Sequence, residues 1–411
     1  MTATSGLCLA ALAAVLAGAP ASAATLEPEL RPPELVRGPF EIHPHAGLFG
    51  AYDSNVFLQP AAGVVGSWIQ TTEGGLVSRW APTARQRLDL GYLGAYRVYS
   101  NNPSLNNAYV QDAKAAYWYE GSSGFNARVR DGYINTVDPA STELTARRRR
   151  WANRLSFDGA YEPQDGRVYL AGDAQDTRHK YVADDPALRR ALDRYETLFG
   201  GKAGWQVQPK TVAFVAYHRE LIHYTDNPNP AKDSKSHLVD FGVQGELTPK
   251  IQGTVQAGLI DRRYDAPPAP GLGKDTVNFT CLASVDYRPV DRTLTTLRLS
   301  RTLEESAYDI NHFYIATVAR LTLTHELPWK LVARVEGSVE WDKYHATTTV
   351  GNMTVNRRDD NYLTSFGLEY PINDWLRANA GYLYRTRFSR DLSAQFNYRD
   401  SIVSGGLSAN F

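Results

Sequence analysis

The stretch Leu331-Val332-Ala333-Arg334-Val335-Glu336-Gly337-Ser338-Val339-Glu340-Trp341 alternates strictly. Leu331, Ala333, Val335, Gly337, Val339 and Trp341 share one parity, and Arg334, Glu336, Ser338 and Glu340 share the other. A side-chain period of two belongs to a β-strand with one apolar and one polar face. The pattern recurs elsewhere. Val239, Phe241, Val243 and Leu247 oppose Asp240, Gln244 and Glu246, and Phe279, Cys281, Ala283, Val285 and Tyr287 oppose Asn278, Thr280, Ser284 and Asp286. Leu376, Ala378, Ala380, Tyr382 and Tyr384 oppose Arg377, Asn379 and Arg385. A soluble β-sandwich also alternates, so alternation alone leaves two architectures open.

Working outward from these strands, turn signals divide the chain at intervals of about 40 residues, as a strand, a longer loop, a second strand and a tight turn require. They are Ala81-Pro82-Thr83, Gly121-Ser122-Ser123-Gly124, Pro163-Gln164-Asp165-Gly166, Gln208-Pro209-Lys210, Thr248-Pro249-Lys250, Pro289-Val290-Asp291, Leu327-Pro328-Trp329 and Pro371-Ile372-Asn373-Asp374. Three features favour a membrane barrel over a sandwich. The runs are about ten residues or longer, enough to cross a bilayer at a tilt. The connections are asymmetric, with long polar stretches at 135–150, 176–194, 224–236, 261–275 and 342–361 opposite the tight turns. Rings also gather at both strand ends, with Trp80, Tyr119, Tyr161, Trp205, Tyr287, Trp329, Tyr370 and Trp375 by the turns and Tyr96, Tyr133, Trp151, Tyr217, Trp341, Tyr344, Tyr384 and Phe388 toward the loops. Aromatic belts mark the two interfaces of a membrane. The expected fold is all-β: a single transmembrane antiparallel up-and-down barrel of about 18 strands (16–18). Strands are expected to begin near residues 44, 66, 86, 108, 125, 150, 167, 194, 211, 237, 251, 276, 292, 312, 330, 361, 375 and 401. Such a barrel encloses an aqueous channel.

Composition is consistent with this reading. Lys+Arg and Asp+Glu balance at 44 each, which leaves no basic field for nucleic acid. With 2 Cys, a disulfide scaffold or cysteine-based zinc site is excluded. The apolar run Leu7–Leu16 followed by Ala21-Ser22-Ala23 reads as a signal peptide over residues 1–23, although its first residues carry no Lys or Arg. Residues 24–42 form a Pro-rich periplasmic segment, and 43–411 the barrel.

Inward parity places Arg97, Arg128, Arg130, Arg154, Asp240, Arg298, Arg334, Glu336 and Arg377 on the lumen wall, with Trp118, Tyr169 and Tyr314 as inward rings. Interspersed signs suit salt-bridged ladders along a wet wall. They also suit a pore for a hydrophilic, partly anionic solute such as a saccharide, which stacks on rings and hydrogen-bonds to charged groups. Arg147-Arg148-Arg149-Arg150 is expected at the extracellular rim, against lipopolysaccharide phosphates or polymer carboxylates or simply solvated. Asp184-Asp185-Pro186 predicts a helix start within loop 176–194. His218 and His223 are five apart on a strand, so they face opposite sides and make no zinc motif. No Gly-x-Ser-x-Gly elbow is present. Neither a catalytic site, a metal nor a cofactor is therefore expected.

Two resemblances complete the reading. Val403, Leu407, Ala409 and Phe411 share a parity, and this run resembles the C-terminal strand signal read by the bacterial barrel-assembly machinery, with Phe411 as its key residue. Tyr52-Asp53-Ser54-Asn55-Val56-Phe57, at the end of the first strand, resembles the putative β-barrel porin type 2 family. The resemblance implies an outer-membrane barrel and, for members encoded in exopolysaccharide operons, export of a secreted polysaccharide with periplasmic export components as partners. A diffusion porin for nutrient uptake is the alternative. Asp53, Ser54 and Asn55 are also turn formers that would cap strand 1.

Overall fold

The computed structural model describes residues 36–102, 107–144, 147–163, 166–182, 186–225, 232–267, 273–307, 311–346, 348–350, 353–390 and 396–411. Residues 1–35, with the expected signal peptide, lie outside them. Eighteen long strands form one ring. They are β1 (Phe40–Asp53), β2 (Ser67–Thr83), β3 (Gln86–Tyr99), β4 (Ala108–Glu120), β5 (Phe125–Thr136), β6 (Arg150–Tyr161), β7 (Val168–Tyr181), β8 (Arg194–Gln208) and β9 (Thr211–Tyr224). The ring continues with β10 (Ser234–Thr248), β11 (Ile251–Tyr264), β12 (Asp275–Tyr287), β13 (Thr293–Glu305), β14 (Phe313–Glu326), β15 (Val332–Tyr344), β16 (Arg358–Pro371), β17 (Leu376–Ser389) and β18 (Tyr398–Asn410). Each pairs antiparallel with its chain neighbour, and β1 pairs with β18 from His45–Asn410 to Asp53–Ile402, which closes the barrel. The ring leaves no long free edge for a second chain to extend.

The expected strand starts hold to within four residues; the first begins at Phe40 rather than near residue 44. There Val36–Arg37 folds back on Phe40 and Glu41 through Gly38, whose φ of 61° favours glycine. A helix, α1 (Pro186–Leu192), forms in the β7–β8 loop where Asp-Pro predicts one; Asp184 and Asp185 lie outside the described residues. The 342–361 stretch is shorter as a loop than the sequence suggests. β15 runs on to Tyr344, β16 starts at Arg358, and a small hairpin pairs Thr348–Val350 with Met353–Val355.

Parity sets the two faces. Val335, Trp341, Phe241, Phe279, Val403 and Leu407 are exposed on the outside, while Glu336, Glu340 and Asp240 turn inward. Outside, the chain presents an apolar band, and away from the β12–β13 seam backbone polar groups are satisfied strand to strand, the condition for spanning lipid.

The wall departs from regularity at one seam. β12 and β13 pair only from Cys281–Arg301 to Tyr287–Thr295, nearest the tight turns. Toward the loop end, β13 and β14 lean into the barrel. There Leu303 and Phe313 pack on Ile260 and Tyr264 of the inner face of β11, with Leu238 and Ile315 against them. The rings of Tyr264 and Phe313 stack at 5.8 Å.

Candidate functional site

The site is the lumen, and its two halves differ. Near the tight turns the lumen pairs are local and wet. Arg79 Nε donates to Asp89 at 2.9 Å, and Arg377 Nη1 to Glu369 at 2.7 Å. Arg128 and Arg130 share Asp158 (3.6 and 2.7 Å), and Arg320 and Arg334 share Glu336 (3.4 and 3.5 Å). Trp118 faces inward with the Arg87 guanidinium 4.0 Å above its ring. Arg154 donates to Thr177 Oγ1 at 3.3 Å, and Arg298 stands in register between Ser284 and Arg320. Two expected contact residues are buried instead. Asp240 accepts from Thr280 Oγ1 at 3.4 Å, and Tyr169 is shielded on the inner face of β7.

At the loop end the charges are dry and join segments far apart in the chain. The β5–β6 connection, through residues 137–144 and 147–149, folds into the barrel. Its first turn is held by Asp138, which accepts from Arg97 Nη1 at 2.9 Å and pairs with Arg147 at 3.5 Å. Burial alone would raise the Asp138 carboxyl, but Arg97 and Arg147 outweigh it and hold the group below the usual carboxylate range. Arg147 also donates to Tyr99 Oη at 2.6 Å, and Arg150 Nε to the Asp138 carbonyl at 2.9 Å. Of the four arginines expected at the rim, Arg147 and Arg150 are therefore directed inward; only Arg148 and Arg149 are exposed.

The loop then reaches the opposite side of the ring. Thr142 Oγ1 donates to Glu340 on β15 at 2.7 Å. Glu143 accepts from Ser306 Oγ at 2.7 Å and from the Ala307 amide at 2.5 Å, just beyond β13. Arg387 on β17 donates to the carbonyls of Thr142 (2.9 Å) and Glu143 (3.3 Å). Burial pushes the Glu143 carboxyl above its ordinary value, against the opposing effect of those two hydrogen bonds and of Arg357 and Lys232.

The tucked β13–β14 hairpin seats against the same plug. Arg262 joins Glu305 at 2.7 Å and Glu220, Tyr224 Oη donates to Glu305 at 2.8 Å, and Lys232 Nζ donates to the Ser306 carbonyl at 2.9 Å. Burial, with Lys232 and His345 adding, pushes His312 down to about 4, so it is neutral at neutral pH. Tyr314, expected to contact solute, is fully buried and stacks on Tyr344 at 5.2 Å, so neither ring offers a free face. Tyr344 accordingly leaves the loop-end aromatic belt in which its place at the strand end put it; it shares the inward parity of Glu336 and Glu340.

Sequence reasoning missed Thr142, Glu143, Arg262, Glu305 and Arg387. Arg387 shares the inward parity of Arg377 and Arg385, so its direction was readable, but its partners were not. Nothing in the sequence of loop 137–149 says that it turns inward. His218 faces the lumen beside Asp173 (3.0 Å), whereas His223 faces outward to Asp233 (2.5 Å). Among the described residues no three His, Cys, Asp or Glu side chains gather as a metal site.

The family model described as putative beta-barrel porin 2 matches residues 35–411. The chain belongs to this family. It is accordingly a barrel of the bacterial outer membrane, with short turns on the periplasmic side and long loops on the extracellular side. Phe411 stands at the periplasmic side, its amide donating to the Pro44 carbonyl at 3.0 Å and its ring stacked on Trp375 at 5.6 Å.

Solved structures similar to this porin-family barrel include OpdK of Pseudomonas aeruginosa with vanillate (11% identity, TM-score 0.46) and OccAB3 of Acinetobacter baumannii (9%, 0.46); each match covers 90% of this chain and 99% of the other. A bacterial polysaccharide outer membrane secretin is 12% identical with a TM-score of 0.34, covering 89% and 98%. No curated protein sequence matches the chain.

The family motif now has a structural role. Asn55, fully buried, donates through Nδ2 to the carbonyls of Gln59 (2.8 Å) and Arg399 (3.0 Å), and its amide donates to Asp400 at 3.1 Å. The Ser401 amide donates to Ser54 Oγ at 2.8 Å. Asp53, Ser54 and Asn55 thus fasten the end of β1 to the start of β18 where the barrel closes.

Proposed function

We propose that this barrel is a passive conduit that carries exopolysaccharide outward across the outer membrane, with loop 137–149 as its extracellular gate. The observation that carries the reading is the loop itself, which spans the mouth of a porin-sized ring and is anchored on the far wall by a few polar contacts at Thr142 and Glu143. An 18-stranded ring is wide enough for a hydrated chain, and the turn-side half of its lumen offers interspersed acids and bases, a surface on which a partly anionic saccharide slides without binding tightly. Membership in the porin family, a group that includes barrels encoded in exopolysaccharide operons, supports the reading. The partners in this reading are the polymer, periplasmic export components, outer-leaflet lipopolysaccharide, and the barrel-assembly machinery during biogenesis. No step requires a catalyst or a cofactor. The test is deletion of the gene followed by measurement of secreted and periplasmic polysaccharide. Export predicts loss outside and accumulation inside; unchanged secretion together with slower uptake of a small hydrophilic nutrient would replace export by diffusion.

A further inference from the structure

The lipid-facing wall is not uniform around the ring. At the extracellular end of β1–β6 its outward positions carry rings: Tyr52, Trp68, Tyr96, Tyr109, Tyr133 and Trp151. On β7, β9, β10 and β11 the corresponding height carries cations, Arg178, Lys180, Arg219, Lys235 and Arg263, while β8 between them presents Tyr195, with Arg178 5.3 Å from its ring centre. Arg178 and Arg263 each have an aspartate two residues away, at 3.3 and 3.1 Å, and Lys180 reaches Asp193 at 3.0 Å. Arg219 and Lys235 are ion-paired to no carboxylate among the described residues. They are diagonal neighbours, because Arg219 is in register with His237 and Leu221 with Lys235. An uncompensated cation on the lipid face costs energy that grows with depth, and Arg219 lies five residues below the end of its strand.

An apolar groove opens directly below this pair. Gly159, Gly172 and Gly201 lie side by side on β6, β7 and β8, with Tyr217 next on β9. Their missing side chains leave a floor between walls of Phe157, Tyr161, Leu170 and Val215, a space of about 600 Å³. Arg219 is the next outward residue above Tyr217, about 6.6 Å higher along the strand. Cations without partners and an apolar trough one step below them are complementary to one kind of molecule, an anionic head on acyl chains.

We propose that β6–β11 form a binding site for a phosphate-bearing, multiply acylated lipid of the lipid A class, with a phosphate at Arg219 and Lys235 and an acyl chain in the Gly159–Gly172–Gly201 groove. Arg178, Lys180 and Arg263 flank the headgroup above. The site is on the outer wall and is independent of what the lumen carries.

Native mass spectrometry of the purified full chain in detergent tests this, with hexa-acylated, bisphosphorylated lipid A as probe and heat-modifiable migration as the check on folding. Wild type is expected to retain one lipid. The Arg219→Gln/Lys235→Gln variant is expected to bind about tenfold more weakly, the loss of about 1.4 kcal/mol of charge-assisted contact. Dephosphorylated lipid A should show the same loss on wild type. Gly201→Leu, where an added Cβ meets the Ala171 carbonyl at 3.4 Å, fills the trough and should weaken binding with the phosphates intact. Should the double variant fail to fold, the exposed Lys235→Gln alone carries the test with a smaller loss. Equal binding by the charge variant, or by dephosphorylated lipid, would overturn the proposal. Saturation of the same site by inorganic phosphate alone would show an ion site in place of a lipid site.

Discussion

The periplasmic and extracellular halves of the lumen use the same residue types and reach opposite results. Near the turns, Arg79–Asp89 and Arg377–Glu369 bridge adjacent strands and remain solvated. Such pairs contribute little to stability, and they leave the channel open. Near the loops, Glu143 and Arg387 are 1% and 2% exposed, and their contacts connect segments 163 and 244 residues apart or more. Dehydration there makes each contact strong and each broken contact expensive. The difference comes from two inward elements: where the β5–β6 loop and the β13–β14 hairpin displace water, charge holds structure, and where they do not, charge lines a passage.

The hardest way to break this contrast is to remove the loop. Replacing residues 139–147 by a short glycine linker is expected to raise single-channel conductance by about an order of magnitude, since the ring beneath is of porin width. Heat-modifiable migration should remain that of a closed barrel. A conductance equal to wild type would place the constriction elsewhere, with the tucked β13–β14 hairpin as the next element to test.

A smaller change attacks the far anchor. Arg387→Ala leaves the carbonyls of Thr142, Glu143 and Phe396 without their donor in a buried setting. The expected cost to loop docking is about 2–3 kcal/mol, seen as frequent open events in planar bilayers. Arg377→Ala, the matching change in the wet half, should leave the open probability unchanged. Equal effects from the two would erase the distinction between the halves.

How much of this was readable in advance follows from the range of the signals. Val335, Trp341 and Phe279 face lipid because a strand enforces a two-residue period, and that is local. The wall, its 18 strands and its turn chemistry were therefore legible, as were the inward directions of Arg97, Arg130, Glu336 and Arg377. The positions of Glu143, Tyr314 and Arg147 depend on where a loop lands across the ring, and no local pattern encodes a partner 163 residues away. Tyr314 sits at a perfect inward parity, yet it is buried because β13 and β14 lean off the wall. Asn55 was legible as a turn former; its bond to Arg399 became visible only once first and last strands met.

That closure point gives a third test, away from the gate. Asn55→Ala removes two donated hydrogen bonds and one accepted from the Gln59 amide. A loss of about 2 kcal/mol is expected, visible as a lower midpoint of heat-induced unfolding with conductance retained. A variant that opens the gate at unchanged thermal stability would tie the clasp to the lumen and blur the separation of roles.

The smallest effect is a pH dependence, and its sign follows from Glu143. Docked, its carboxyl is raised above the ordinary value by burial; undocked, it is solvated and ordinary. The docked loop therefore holds the proton more tightly, so its docking advantage is fully present below the ordinary carboxylate pKa of about 4.3 and is lost as pH rises through the docked value. Asp138, held low by Arg97 and Arg147, stays ionised above that range, and neutral His312 changes charge only near 4. Conductance should accordingly rise from acid toward neutral pH by a modest factor. Glu143→Gln should flatten the profile while keeping an acceptor oxygen for the Ala307 amide and a donor for the Ser306 hydroxyl oxygen. A wild-type profile that is already flat, or one that falls toward neutral pH, would show that Glu143 does not set the gate, and the dry half would then owe its closure to Thr142 and Arg387.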